Sequence, residues 1–419
     1  MIQTTFRATA LVAALTAVLP RLGAAVPAFA RQTGQSCSAC HFQHFPTLTA
    51  FGETFKSGNY ALVGGQSMVE GDILSLPAVL NLSMILKMKY VKTDGGSRQG
   101  ADRGEFQMPD EASIFLGGRV GKNIGFLVEG QLADESSPVF ASFKMPIGFE
   151  ALGGRVSLIP FATEGLGTPF GFELLSTGAV RNVRSFEERA ATSAQQYVVG
   201  GSGEGIAEGV AFVVSGRTGF ANLTLWTPNH GTVALDRPAY YWRVAMTPTF
   251  GEWKLGAGMQ LWTGSATTVN QQTSAVAFDV QAHGETNGLP LGMYLSYTRA
   301  PGTPIGAAPG DTNFFNRLPQ AQRAFAVAAE LGVLPGRVTV GAAYRDARNG
   351  LNELQPPTWP APLGVGGVAR DVDRAMTAMV TVMLAQNVEV HSSYSEFFGN
   401  AWAGRSDNHK VSVTVFAAF

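Results

Sequence analysis

The chain ends with Val411-Ser-Val-Thr-Val-Phe-Ala-Ala-Phe419, and this stretch decides the fold. Side chains alternate between two faces along an extended chain. One face of this stretch is entirely apolar, with Val411, Val413, Val415, Ala417 and Phe419. The opposite face begins with a serine and a threonine. The pattern therefore predicts a β-strand that continues to the last residue and has one apolar face.

The same alternation recurs upstream, between segments rich in Gly, Pro, Asn and Asp. Examples are residues 124–132, 254–261, 337–345 and 376–384, in which the second face carries glycine, threonine, glutamine and isolated charges. An apolar exterior with a polar interior is typical of a transmembrane barrel. The C-terminal Phe also resembles the end of the closing strand of bacterial outer-membrane barrels. The alternative is a soluble β-sandwich, whose polar face is usually rich in Lys and Glu.

Composition narrows the class of protein. The chain has 50 glycines among its 419 residues, and only 15% of its residues are charged. In average proteins, roughly 7% of the residues are glycine and 25% are charged. Mean hydropathy is +0.09, yet beyond the N-terminal region no segment has the roughly 18 consecutive apolar residues of a spanning helix. The net charge of −1 and the pI of 6.6 offer no basic face for nucleic acid. These values disfavour a disordered chain, a helical membrane protein and a typical cytosolic enzyme.

Residues 73–419 are predicted to form the barrel. At about 10 residues per strand plus connections, they suit about 16 antiparallel strands. Val120–Ile124 and Leu334–Arg337 are tight turns, whereas Thr93–Pro109, Ala300–Gln320 and Gly350–Arg370 are long connections. Short periplasmic turns and long external loops are typical of outer-membrane barrels.

The N-terminal residues have the order of a secretory signal. Arg7 precedes the apolar stretch Ala8–Leu19, and the tripeptide Ala28-Phe29-Ala30 offers a cleavage site. A membrane anchor is the alternative, but about 12 apolar residues do not span a bilayer that needs about 20. We predict a signal peptide at residues 1–30, and an exported head at 31–72 in front of the barrel.

The two cysteines of the chain lie in Cys37-Ser-Ala-Cys-His41. A C-x-x-C-H sequence is the attachment motif of c-type haem, in which two thiols bond the porphyrin and the histidine ligates its iron. A redox-active thiol pair, a structural disulfide and half of a zinc site are the alternatives. A redox-active pair needs a βαβ context, which the sequence lacks, and a zinc site needs more ligands than this motif offers. A structural disulfide would leave His41 unexplained. The motif predicts one covalently bound haem c, attached to Cys37 and Cys40, with His41 as the proximal iron ligand.

The residues after the motif are candidates for the haem pocket. Pro46 is placed at the start of a helix, on which Leu48, Phe51 and Phe55 share one face. An apolar face with two aromatic side chains suits a haem plane. Phe51 and Phe55 are therefore predicted to pack on the haem, and packing against the barrel wall is the alternative.

Met68 is the candidate for the distal iron ligand. Glycines at 58, 64 and 65 allow the chain to fold back, and Met/His ligation raises the potential of a haem. His44 lies three residues after His41, so a helix through both would put the two imidazoles on one side of the iron. Met84, Met88 or an open position are the alternatives. The remaining histidines are interpreted as surface or lumen residues: His230, His283, His391 and His409.

The segment from Ala30 to Tyr60 resembles the fused monohaem cytochrome-porins of the bacterial outer membrane, the iron oxidases of Fe(II)-oxidising bacteria. The matching features are the Ala-Arg-Gln-Thr-Gly lead-in, the C-x-x-C-H motif, Phe45-Pro46, Leu48, Phe51-Gly52, Phe55-Lys56 and Tyr60. Residues 70–77 and, more loosely, 171–182 also match. The resemblance covers about 50 residues closely, and the rest of the chain agrees in architecture and length.

The resemblance implies an all-β transmembrane barrel whose lumen is plugged by a small helical cytochrome c domain. It also implies iron(II):cytochrome c oxidoreductase activity in the bacterial outer membrane. Extracellular Fe(II) would be oxidised, and single electrons would pass through one haem c to a periplasmic c-type cytochrome or another carrier. The alternatives are a haem-bearing barrel with a donor other than iron, a passive porin with a redox plug, and a soluble cytochrome fused to a sandwich domain.

No iron-docking residue carries over from the family. Hard cations prefer oxygen ligands, so lumen carboxylates near the outer opening are candidates for attracting Fe(II). Glu129 and Glu389 face the lumen in the predicted strands. The alternative is that both are hydrated charges in a polar lumen.

Overall fold

The computed structural model describes residues 27–419 apart from 73–74, 96–102, 133–139, 152, 182, 201–204, 230–237, 267–269, 352–370 and 404. The described strands close into an antiparallel barrel of 16 strands, which confirms the predicted fold class. Within this part of the chain, no helix is both long and apolar enough to cross a membrane. Residues 1–26 of the predicted signal peptide, His230 and most of the connection 350–370 lie outside the described residues.

Three barrel strands consist of two segments each. Pro146 and Pro248 stand at two of the breaks, because proline cannot donate a backbone hydrogen bond to a neighbouring strand. The strands in order around the barrel are Leu82–Thr93, Glu105–Gly121, Ile124–Gln131, Phe140–Lys144 with Ile147–Ala151, Gly154–Thr163, Ala207–Gly216, Gly219–Thr227, Ala239–Met246 with Thr249–Phe250, Trp253–Ala266, Gln271–Gln272 with Ala275–Thr286, Leu289–Ala300, Gln322–Leu334, Val338–Arg348, Val372–Ala385, Val388–Phe398 and His409–Ala418.

The C-terminal strand closes the barrel. His409–Ala418 pairs antiparallel with the first barrel strand, Leu82–Thr93. The last residue joins this pairing, since the Phe419 amide donates to the Met84 carbonyl at 2.9 Å and the Met84 amide donates to the Phe419 carbonyl at 3.0 Å. The strand predicted from the C-terminal alternation is confirmed.

The two faces of the wall differ as the alternation predicts. Large apolar side chains point outward and are exposed, such as Val244 at 54% and Val280 at 47%. Their neighbours in sequence, Arg243 and Asp279, point inward and are buried. The barrel therefore presents an apolar surface to its surroundings and a polar surface to its lumen, as a bilayer requires.

The connections differ at the two ends of the barrel. At one end, here called the turn end, two-residue turns such as 122–123 and 287–288 join neighbouring strands. At the other, here called the loop end, the connections are long, as at 164–206 and 301–321. In outer-membrane barrels the short turns face the periplasm and the long loops face outward.

Residues 27–72, here called the plug, lie inside the barrel at its turn end. The plug contains the helices Ala28–Thr33, Cys37–Cys40 and Ala50–Ser57, and its last strand, Met68–Glu70, pairs with Ser75–Pro77. Wall strands on different sides hold it. Phe45 stacks on Phe416 with ring centroids 4.7 Å apart, Ser157 donates to the Asn59 side chain at 3.1 Å, and Lys254 pairs with Glu53.

The helix Ala28–Thr33 includes the predicted cleavage tripeptide. Phe29 stacks on Tyr60, with ring centroids 5.0 Å apart, and meets Phe55 edge-on at 5.1 Å. Cleavage after Ala30 would remove these contacts. The boundary at residue 30 stays a prediction.

A second insertion enters the lumen from the loop end. This inner loop, residues 164–206, contains Thr168–Phe170, Thr177–Val180, Val183–Arg184, Arg189–Thr192 and Ala194–Val198. Phe170 and Val198 pack in one cluster with the wall residues Trp226 and Trp262. The sequence did not predict this element, which lies beside the plug in the lumen and contacts it where the Thr47 hydroxyl donates to the Arg184 carbonyl at 3.1 Å.

Candidate functional site

The cysteine motif forms a single helical turn. Cys37–Cys40 is a four-residue helix, so the two thiols lie one turn apart on one side of it. His41 already has extended backbone angles, φ −114° and ψ 131°. The chain then folds back, and the Thr49 hydroxyl donates to the Ala39 carbonyl at 2.6 Å. The thiols and the imidazole are thus held in one short, tightly folded segment.

The electrostatics of the motif argue against thiol redox chemistry. Burial raises the pKa of both the Cys37 and Cys40 thiols, and the Glu389 carboxylate raises the pKa of Cys37 further. Redox-active thiols require a lowered pKa instead. Burial lowers the pKa of His41, so its imidazole is neutral at neutral pH. A neutral imidazole is the form that ligates a metal.

A cavity of about 1170 Å³ adjoins the motif. Cys37, Cys40 and His41 line it, and it exceeds the roughly 300–1,000 Å³ of ordinary small-molecule pockets. Near the turn end its wall includes Asn387, and near the loop end it includes Lys410. The cavity therefore runs along the inside of the barrel from the cysteine motif to the loop end.

The predicted haem-packing helix differs in detail from the structure. It begins at Ala50 rather than at Pro46, because Thr49 caps it by accepting a hydrogen bond from the Gly52 amide at 3.1 Å. Phe55 is buried and lines the cavity. Leu48 also lines the cavity, but it precedes the helix. Phe51 is half-buried and lies outside the cavity wall.

The structure does not bring Met68 to the cavity. Met68 is half-buried in the short pairing of Met68–Glu70 with Ser75–Pro77, and it does not line the cavity wall. Met84 and Met88 are outside that wall as well, because they lie in the wall strand Leu82–Thr93 without facing the cavity. Met383, near the turn end, is the methionine that lines the cavity among the described residues.

His44 points away from the cysteine motif and toward the wall. The motif helix ends at Cys40 and Gln43 has a left-handed backbone, φ +62°, so no helix runs through both His41 and His44. The His44 Nε2 atom lies 2.6 Å from Glu330 Oε2. Burial alone would lower the pKa of His44, but the Glu330 carboxylate and the hydrogen bond to it raise the pKa to about 9.

A cluster of buried side chains surrounds His44, and the sequence did not predict it. Glu389 and His391 lie on one wall strand, with His391 Nε2 3.0 Å from Glu389 Oε2. The ligand atoms of His44, Glu389 and His391 all lie within 4.8 Å of one another. The Phe45 amide donates to Glu389 Oε1 at 3.0 Å, which ties the cluster to the plug. The period-two pattern was the only signal, because it places Glu389 and His391 on the same lumen face.

The structure confirms that Glu129 and Glu389 face the lumen. Both line the cavity, but at different depths. Glu129 is two residues from the loop end of Ile124–Gln131 and accepts a hydrogen bond from Ser142 at 2.7 Å. Glu389 is the second residue of Val388–Phe398 and lies at the turn end. Glu389 is therefore far from the outer opening, where Fe(II) docking was predicted.

The residues at the motif fit a c-type haem. The two thiols are free, and Nδ1 of His41 is buried without a hydrogen-bond partner in the described part of the chain. Two free thiols, a neutral imidazole and an adjoining cavity are the donor set and the space that covalent haem attachment requires.

Comparisons with known proteins show the fold of the chain. No protein-family model and no curated protein matches the chain. Salmonella typhi OmpF, solved in complex with daunomycin, is similar in structure, with a TM-score of 0.52, 12% identity, and coverage of 84% of this chain and 100% of that chain. The outer-membrane channel DcaP of Acinetobacter baumannii matches with a TM-score of 0.47, 12% identity, and coverage of 81% and 97%. The fold is that of the outer-membrane porins, and its apolar exterior places the chain in the outer membrane.

Proposed function

We propose that this protein is an outer-membrane cytochrome c that oxidises extracellular Fe(II) and passes single electrons to a periplasmic carrier. The observation that carries the proposal is the cavity that runs from the Cys37–His41 motif at the turn end to the loop end. It gives an electron donor on the outer side a route toward a redox group held inside the barrel. The resemblance of residues 30–60 to the cytochrome-porins supports iron as the donor.

Each residue of the motif has a distinct role in this proposal. Cys37 and Cys40 hold the porphyrin by thioether bonds, and His41 ligates the iron. When bound, haem c supplies a one-electron couple that needs no general acid, base or nucleophile. Phe55 and Leu48 exclude water from the cavity wall beside the motif. Charged groups of the inner loop, Arg184 among them, also line the cavity and make that part of its wall polar.

The barrel supplies what a soluble cytochrome lacks. Its apolar band is about 25 Å tall, a distance over which electrons do not cross lipid at useful rates. Ferric iron precipitates near neutral pH, so a cell that uses Fe(II) must leave the product outside. A redox group within the lumen allows the electron to enter while the iron stays out.

The test is to express the protein in a host that matures c-type cytochromes and to add Fe(II) to intact cells. We expect rapid reduction of the haem absorbance in the wild type. The reduction should be lost in His41→Ala and in Cys40→Ala. Sulfide added instead of Fe(II) separates the donors: reduction by sulfide alone would replace iron as the donor and keep the rest of the proposal.

A passive porin is the competing function, and the two insertions argue against it because they narrow the lumen to the cavity beside the cysteine motif. The plug and the inner loop occupy the space through which solute diffuses in an open porin. We expect the conductance of single proteins in planar bilayers to be far below that of an open barrel of 16 strands. Large conductance together with no haem reduction by Fe(II) would favour the porin.

A further inference from the structure

A buried cluster at the turn end combines two histidines with carboxylates from two wall strands. His44 comes from the plug, Glu389 and His391 from Val388–Phe398, and Glu330 from Gln322–Leu334. All four side chains are buried. Two imidazoles and a carboxylate form a set that binds divalent iron or zinc in proteins. The cluster contains none of the motif residues Cys37, Cys40 and His41, although Glu389 lines the same cavity as they do.

The two imidazoles are already oriented as metal ligands are. Nδ1 of His44 lies 2.9 Å from the Phe45 carbonyl, and Nδ1 of His391 lies 3.1 Å from the Thr381 hydroxyl. Metal-binding histidines usually donate their second ring N–H to such an oxygen, which fixes the ring and leaves Nε2 to the metal. Nε2 of each ring here faces a carboxylate oxygen, of Glu330 for His44 and of Glu389 for His391.

Charge and access favour a cation. Glu330 and Glu389 bring two carboxylates to the two imidazoles inside a buried cluster, and a bound cation offsets the cost of burying acidic groups. The carboxylates have their own supports, since Tyr294 donates to Glu330 Oε1 at 2.6 Å and the Phe45 amide donates to Glu389 Oε1 at 3.0 Å. Glu389 also lines the cavity, so an ion reaches the cluster from there.

We infer that His44, Glu389 and His391 bind one divalent transition-metal ion, with Glu330 as the neighbouring carboxylate, and that this ion fastens the plug to the wall. Binding of the ion breaks the contact between Nε2 of His44 and Glu330 Oε2, and a proton displaced from the imidazole leaves to water in the cavity. Zinc and ferrous iron suit the nitrogen donors, whereas Mg²⁺ and Ca²⁺ prefer all-oxygen sites. The site goes beyond the proposed function, because it needs neither haem nor an electron donor.

The test is to titrate the purified, haem-loaded chain in detergent with Zn²⁺. We expect one equivalent of zinc per chain in addition to the haem iron, and no comparable uptake of Mg²⁺. Glu389→Gln and His391→Gln should each weaken zinc binding about tenfold or more. His409→Gln is the matched control, since His409 lies at the loop end and pairs with Tyr394 outside the cluster. Its zinc binding should equal that of the wild type.

X-ray absorption at the zinc edge of the wild type tests the same site without any variant. We expect scattering from two imidazoles. The site would be overturned if the wild type bound no zinc tightly, or if both cluster variants bound zinc as tightly as the wild type. A loss of zinc binding only in His409→Gln, or a spectrum without imidazole scattering, would overturn it as well. Because zinc uptake is measured separately from haem reduction, failure of this inference leaves the proposed function standing, and the reverse also holds.

Discussion

At the scale of single residues, the approach of Gly52 to the cysteine motif is the tightest constraint on the candidate site. A Cβ atom at Gly52 would lie well inside contact distance of the Cys40 carbonyl oxygen and 3.2 Å from the Leu48 side chain. The helix Ala50–Ser57 therefore packs against the motif only because residue 52 has no side chain.

We expect Gly52→Ala to displace the motif and to lower the yield of covalently bound haem. The measurement is the haem absorbance per chain after purification from a host that matures c-type cytochromes. Gly216→Ala is the matched control, because nothing lies within 4 Å of a Cβ atom at that position. Equal haem content in the two variants would contradict the proposed packing.

We expect the ion pair between His44 and Glu330 to make the attachment of the plug dependent on pH in the metal-free protein. Its pKa is raised to about 9 by Glu330, from a value of about 6.5 in the unfolded chain. A raised pKa means that the native state holds the proton more tightly, so the stabilisation is complete below about pH 6.5 and is lost as the pH rises through about 9.

The measurement is the unfolding temperature of wild type and His44→Gln with a chelator present, across this range of pH. Near pH 6.5 we expect the wild type to have a higher unfolding temperature than His44→Gln. This difference should shrink as the pH rises and vanish above about pH 9. A difference that grows with pH would contradict the ion pair between His44 and Glu330.

How much of the site is visible in the sequence depends on the separation of its residues. Cys37, Cys40 and His41 are consecutive parts of one local motif, so their spacing alone reveals them. His44 and Glu330 are 286 positions apart. Only the register of the closed barrel brings them together, and no local pattern encodes that register.

At the scale of elements, one buried ion cluster fastens the inner loop to the wall. Arg243 donates to Glu173 of the inner loop at 3.0 Å and to Asp279 of a neighbouring strand at 2.6 Å, and all three side chains are fully buried. Removal of the guanidinium would leave two carboxylates buried without a positive charge.

We expect Arg243→Ala to lower the free energy of unfolding by about 3–5 kcal/mol, the usual cost of breaking a buried pair. The measurement is the temperature at which the folded band disappears in heat-modifiable gel migration. Arg374→Ala is the control, because Arg374 pairs with Asp346 at a site that is open to solvent. Equal shifts in the two variants would contradict the role of the cluster.

The wall elements were predictable and the inner loop was not. The alternation of polar and apolar residues around Gln260 and Thr377 indicates which face of each strand meets the lumen. Both side chains lie on that face and are buried. Residues 164–206 have no periodicity of this kind, and Glu173 reads in the sequence as an isolated charge. Its partner Arg243 lies on a distant wall strand, so no local pattern indicates that the segment folds inward.

At the scale of the whole molecule, the proposed function requires an insulating barrel and a haem near its turn end. The wall presents an apolar surface to the bilayer, the plug places Cys37–Cys40 and His41 inside, and the cavity reaches toward the loop end. Each part can be varied alone, but the proposed function depends on their combination, because it requires electrons to cross while solutes and iron do not.

The most direct measurement is electron transfer across a vesicle that contains the purified protein. A soluble c-type cytochrome is trapped inside, and Fe(II) is added outside. We predict that the trapped cytochrome is reduced with the wild type and that His41→Ala vesicles stay at the level of protein-free vesicles. No reduction with the wild type, or equal reduction with His41→Ala, would contradict an electron path through the cysteine motif.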